Sequence, residues 1–144
     1  MISYLRFRFE LYKLEKASQK LHQEFKATEE SYQGQNDNGH LSFLGQDLQE
    51  LDRWIEYRKS DFYRGEANKY LIPMPEKSEQ GMYTSFDFGD ENGAVTYLTS
   101  KGIYSLRKLI REEKKSKREA VGFYFTIFTG LIGSIIGLVS VLAK

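Results

Sequence analysis

The sequence predicts a mainly α-helical protein: an antiparallel helical hairpin carrying a small β-hairpin, then a long helix that continues into one C-terminal transmembrane span. Three observations carry that class. Apolar residues recur at alternating steps of three and four over two long stretches, the period of a helix face. Short runs rich in strand formers flank a glycine-containing turn near residue 90. Residues 120–143 contain no charged side chain at all.

Residues 1–32 form the first helix. Tyr4, Phe7, Leu11, Leu14, Ser18, Leu21, Phe25, Thr28 and Tyr32 keep the alternation throughout, with Lys, Glu and Gln on the outer positions. "YQGQNDNGH" (32–40) is a loop by composition, because Gly34, Asn36, Asp37, Asn38 and Gly39 favour turn conformations. A second helix spans about 41–69, its seam made by Leu41, Leu44, Leu48, Leu51, Ile55 and Phe62, with Trp54 beside it and Arg58 interrupting it. Two amphipathic helices joined by a short polar loop close on each other as an antiparallel hairpin. An intermolecular coiled coil fits less well, since Ser18, Thr28 and Arg58 break the seam. "LIPMPEKSEQG" (71–81) contains both prolines and stops the second helix.

A β-hairpin over about 82–98 follows, with "MYTSFDF" and "AVTYL" around "GDENG" and Asn92-Gly93 as a favoured turn pair. Thr99 or Ser100 caps the next helix. That helix buries Ile103, Leu106 and Ile110 on one side and runs on toward the membrane, with Gly122 as its expected hinge. The domain organisation is then a cytoplasmic head (1–99), a basic juxtamembrane helix (100–119) and a membrane helix (120–143).

At 1.5 Å rise, 24 uncharged residues make about 36 Å of helix, against about 30 Å of bilayer hydrocarbon. Thirteen of them are Val, Leu, Ile or Phe, and together they favour insertion by roughly 5 kcal/mol. A soluble core helix apolar on every face needs a larger domain around it than this chain supplies. The flanks set the direction. Arg107, Lys108, Arg111, Lys114, Lys115, Lys117 and Arg118 form a basic collar just before the span, and only Lys144 lies beyond it. Lys and Arg close to a span mark the cytoplasmic side, so the head is expected to face the cytoplasm in a tail-anchored arrangement. Tyr124 at the cytoplasmic end suits an interfacial belt.

Within the span, Thr126, Gly130, Gly133, Gly137 and Ser140 are spaced 4, 3, 4 and 3, a heptad seam of small residues that includes a GxxxG pair. Helices in lipid associate by close backbone approach, which small residues permit. A homo-oligomer, or pairing with another membrane helix, is the expectation. Glycine is also simply frequent in membrane helices, which is the plainer account of the same residues.

Charge and chemistry narrow the rest. Residues 1–100 carry 12 Lys/Arg against 17 Asp/Glu, and residues 101–144 carry 9 against 3. An acidic head is a poor nucleic-acid binder, because duplex affinity comes largely from neutralised phosphates. There is no cysteine, so disulfides, thiolate nucleophiles and thiolate metal sites are excluded. "MISYLRFRFELYKLEK" is interrupted by Arg6, Arg8 and Glu10 and does not read as a signal peptide. His22 and His40 stand apart, with no spacing that builds a metal site. Asp87, Asp90 and Glu91 suit a solvated turn, and Asp47, Glu50, Asp52 and Glu56 a wet helix face. No nucleophile elbow, phosphate loop or dinucleotide fingerprint occurs. The expectation is no catalysis and no cofactor.

"YLIPMPEK" and "YLTSKGIYSLRKLIREEKKSKRE", followed by the glycine-rich apolar tail, are similar to a set of uncharacterised bacterial tail-anchored membrane proteins. The shared features are an I-P-x-P step, a Y-L-T-x-x-G junction and an L-R-x-x-I-R-x-E-x-K collar, over roughly residues 65–143. The resemblance implies membrane attachment, with the bacterial inner membrane as the expected location, and no particular activity. Two functional expectations follow from the residues. The first is a self-associating scaffold that docks a cytoplasmic protein partner at the membrane lipids. The second is a small membrane-perturbing effector, a toxin or antiviral abortive-infection component acting by clustering of its span.

Overall fold

The computed structural model of the 144-residue chain describes residues 2–32, 39–89 and 93–142. The chain is mainly helical: α1 (Ile2–Ser31), α2 (His40–Lys69), β1 (Tyr83–Phe86), β2 (Val95–Leu98) and α3 (Ser100–Leu142). Most of the loop expected at 32–40, together with Asp90, Glu91 and Asn92 of the expected turn, lies outside the described residues. By internal contact the chain divides into two units, Met1–Leu106 and Arg107–Lys144.

In the first unit α1 and α2 pack along the expected seam. Leu11, Leu44 and Ile55 are buried at its centre, and Phe7, Leu14, Ser18, Leu21, Phe25 and Thr28 are half-buried along it. Phe7 stacks on Phe62 with ring centroids 3.9 Å apart and planes 6° from parallel. Each fully buried aliphatic side chain on such a seam contributes about 1.5–3 kcal/mol. The polar positions find partners. Ser18 donates to Asp52 across the hairpin at 2.9 Å, and Thr28 donates back to the Glu24 carbonyl at 2.8 Å. Glu15 and Lys59 pair at 3.1 Å beside the seam, while Arg58 points to solvent. Tyr4 is half exposed, so close packing begins at Phe7.

α2 has a second buried face. The antiparallel β-hairpin, with Tyr83 opposite Leu98 and Phe86 opposite Val95, sits on it. Trp54 meets Phe88 at 4.4 Å and Tyr57 at 5.7 Å, and Tyr57 lies edge-on to Tyr97 at 6.1 Å. Ser60 is fully buried and accepts the Leu98 backbone N–H at 2.9 Å. That bond satisfies a backbone donor that the two-stranded sheet leaves without a strand partner.

α2 ends where the proline segment was expected to end it, and the cap is unusual. The Ile72 N–H reaches the Ala67 carbonyl and the Leu71 N–H reaches the Asn68 carbonyl, the paired bonds of a Schellman motif. Its left-handed position is filled by Leu71, at φ 56°, where glycine is the usual choice. The proline step then returns the chain to the sheet, where the Tyr83 hydroxyl donates to the Pro75 carbonyl at 2.8 Å.

The β2–α3 junction is the tightest place in the first unit. Tyr97, Leu98 and Leu106 are fully buried, with Met82 nearly so. Thr99 is the helix cap: its Oγ1 accepts the Gly102 N–H at 3.2 Å and donates to the Gly81 carbonyl at 2.6 Å. Gly102 lies so close to the Met82 carbonyl and the Leu98 side chain that a Cβ there would overlap both. The Y-L-T-x-x-G pattern therefore has a structural meaning: two buried anchors, a cap, and a residue that must lack a side chain.

Candidate membrane-spanning and association faces

Among the described residues α3 is the one helix long and apolar enough to cross a membrane, by length and composition, and none of its most apolar window is buried within the chain. Phe123, Phe125, Phe128, Leu131, Ile135 and Leu138 are all more than half exposed. Side chains of this size left uncovered by their own chain need an apolar surrounding, and a bilayer supplies one.

The small residues expected to associate fall on one side of that helix. At 100° per residue Thr126, Gly130, Gly133, Gly137 and Ser140 occupy an arc of about 80°. Gly122 falls in the same arc. A Cβ placed at Gly122, Gly130, Gly133 or Gly137 would meet no atom within 4 Å, so among the described residues no contact requires these glycines. The hydroxyls are already bonded. Thr126 donates to the Gly122 carbonyl at 3.0 Å, Thr129 to Phe125 at 3.0 Å, Ser134 to Gly130 at 2.9 Å and Ser140 to Ile136 at 2.8 Å. Each bond hides a polar hydrogen that hydrocarbon would otherwise leave unsatisfied.

The collar precedes this stretch on the same helix. Arg107, Lys108, Arg111, Lys115, Lys117 and Arg118 are exposed and Lys114 is half-buried. Lys117 lies 3.6 Å from Glu113, Lys115 lies 3.7 Å from Glu119, and the Arg118 Nε donates to the Lys114 carbonyl at 3.4 Å. Exposed pairs of this length are worth little, so the collar keeps its positive excess of seven cations over three carboxylates between 107 and 119.

Elsewhere the chemistry is sparse. His22 and His40 are on different helices, and among the described residues no group of three His, Cys, Asp or Glu stands close enough to hold a metal. Asp87 accepts the Gly89 N–H at 2.9 Å, the bond of a simple turn. On α2 Glu50 and Asp52 are exposed as expected, whereas Asp47 and Glu56 are half-buried; Asp52, Arg53 and Glu56 line a shallow groove with Gly45, Leu48 and Gln49. Arg53 pairs with Glu56 at 3.2 Å. Beneath it lies Tyr97, whose buried hydroxyl makes no hydrogen bond of ordinary geometry. Burial holds the Tyr97 phenol above its usual pKa, opposed by the neighbouring guanidinium, and the phenol in turn raises Arg53.

Sequence reasoning missed one exposed feature. Leu5, Phe9 and Tyr12 lie on the outside of α1, 62%, 59% and 60% exposed. Their 4, 3 spacing was readable, but the stronger seam on the opposite side of the same helix absorbed it. No known protein family, curated protein or solved structure matches the chain.

Proposed function

We propose that the chain is a non-enzymatic, single-span membrane protein that self-associates through the small-residue face of α3 and docks a cytoplasmic protein partner at the membrane. The reading rests on one observation. The uncovered apolar part of α3 carries glycines that its own chain does not need and hydroxyls that its own carbonyls already satisfy. A helix face of that kind offers close backbone approach without offering a wet path. The collar, rich in Lys and Arg immediately before the apolar stretch, supports a head on the cytoplasmic side.

Gly133→Ile with Gly137→Ile tests it. Branched side chains at both positions hold the backbones of neighbouring helices apart, while the added apolar area keeps or improves insertion. In an in-membrane association assay on residues 115–144 the double variant is expected to lose most of its association, and Leu131→Ile, off the face, to keep it. Equal association across all three overturns self-association through this face. Loss of association that also relieves toxicity of the full-length chain would replace the scaffold by the membrane-perturbing effector.

A further inference from the structure

The N-terminal four turns of α1 are apolar on two sides. One side is the hairpin seam. The other, about 160° around the helix, carries Leu5, Phe9 and Tyr12. From Lys16 onward the outer side is polar, with Gln19, Lys20 and Gln23, so the second stripe is confined to these turns.

The charge around the stripe is of one sign. Lys13 places its ammonium 4.5 Å from the centre of the Phe9 ring. Arg8 and Lys16 are exposed beside it. The nearby carboxylates are engaged elsewhere, Glu10 with Arg6 at 3.1 Å and Glu15 with Lys59 at 3.1 Å. Among the described residues Arg8, Lys13 and Lys16 make no ion pair. This cationic patch sits on a head whose overall balance is acidic.

We propose that this outer face of α1 docks on the anionic headgroups of a bilayer, with Leu5, Phe9 and Tyr12 entering the acyl boundary and Arg8, Lys13 and Lys16 meeting the phosphates. Basic residues flanking a short aromatic and aliphatic stripe are the composition of a helix that lies in the membrane interface. Tyr12 matches that depth with an apolar ring and a polar tip. Area argues against a second protein chain as the occupant. Three side chains of this size bury at most about 500 Å², short of the roughly 800 Å² per partner of a stable protein interface. A membrane contact needs less, because the span proposed above holds the head near the surface at high effective concentration. The acidic remainder of the head is repelled by the same headgroups, so only this face docks.

The proposal rests on the membrane-spanning reading of α3, and one experiment separates the two. The chain lacks cysteine, so Gln19→Cys carries a single nitroxide label one turn beyond the patch. The full-length labelled chain is mixed with vesicles of phosphatidylcholine alone or of phosphatidylcholine with phosphatidylglycerol. Flotation reads the span, and accessibility of the label to a water-soluble nickel relaxant reads the α1 face. The expected result is flotation with both vesicles and a severalfold loss of nickel accessibility only where phosphatidylglycerol is present. Lys13→Glu with Lys16→Glu, and separately Leu5→Gln with Phe9→Gln, should each restore accessibility without changing Trp54 fluorescence. A chain that floats but whose label stays accessible in both vesicles overturns the docking and leaves the span standing. Protection that is equal in both lipids and grows with protein-to-lipid ratio overturns it in favour of a second copy. Failure to float on either lipid overturns both readings, and flotation only on the anionic vesicles, with the label protected, overturns the span while upholding the docking.

Discussion

Thr99 and Gly102 join the sheet to α3 with little room to spare, and each should be sensitive to one methyl group or one oxygen. Gly102→Ala forces a Cβ against the Met82 carbonyl and the Leu98 side chain, which is expected to cost about 1–3 kcal/mol. Thr99→Ala removes the cap and the tie to Gly81, for about 1 kcal/mol. Urea unfolding followed by Trp54 fluorescence measures both, and because the two residues share a hydrogen bond the double variant should fall short of the sum. Tyr97→Phe should behave in the opposite way. The phenol is buried and, among the described residues, makes no hydrogen bond of ordinary geometry, with the Arg53 guanidinium as its polar neighbour, so the variant is expected to equal or exceed the parent at neutral pH. Its alkaline behaviour follows from the raised pKa, caused first by burial. The folded state then disfavours the phenolate, so the contribution is intact below the unfolded value near pH ~10 and is lost as pH rises through the folded value. Tyr97→Phe should therefore lose less stability than the parent above that pH. Of these residues the sequence offered Thr99, with Ser100 as the alternative, for the cap, and Thr99 fills it. Gly102 was invisible as a constraint, because the atom it must avoid is 20 residues away in the chain.

α2 is the element on which the first unit is assembled, with α1 on one face and the β-hairpin on the other. The α1 face was readable because Leu44, Leu48, Leu51, Ile55 and Phe62 repeat at helical spacing. The hairpin face was not, because two of its fully buried residues are Ser60 and Ala67, which carry little hydrophobic signal. Trp54 and Tyr57, off the main seam, were its only marks. The end of α2 offers a clean test. Leu71 is 91% exposed in a left-handed conformation, so Leu71→Gly removes no buried surface. Relief of about 1–2 kcal/mol, reduced by the extra freedom glycine has when unfolded, leaves an expected gain of about 0.5–1 kcal/mol. A higher urea midpoint with an unchanged slope is the measurement. The two prolines announced that the helix stops here; they did not announce that a leucine would occupy the left-handed position.

For the whole molecule, composition was the most legible property and association the least. A run of 24 uncharged residues is enough by itself to identify an apolar helix. Whether Gly130, Gly133 and Gly137 meet another helix depends on atoms outside the chain, which no periodicity within it encodes. The unequal support of the two long helices governs the order in which the head opens. α1 is held by α2 along a single face, and α2 is held on two, with Ser60 bonded to the sheet as well. Releasing α1 therefore breaks one set of contacts and leaves α2 on the β-hairpin, whereas releasing α2 breaks both the α1 and the hairpin contacts. Native-state hydrogen exchange should report that ranking: amides of α1 exchanging through local opening at low denaturant, and those of α2 near Ser60 only through global unfolding. Equal protection in the two helices would mean that the head opens in one step. On that ranking α1, rather than α2, is the helix that a protease or a deuteron reaches first.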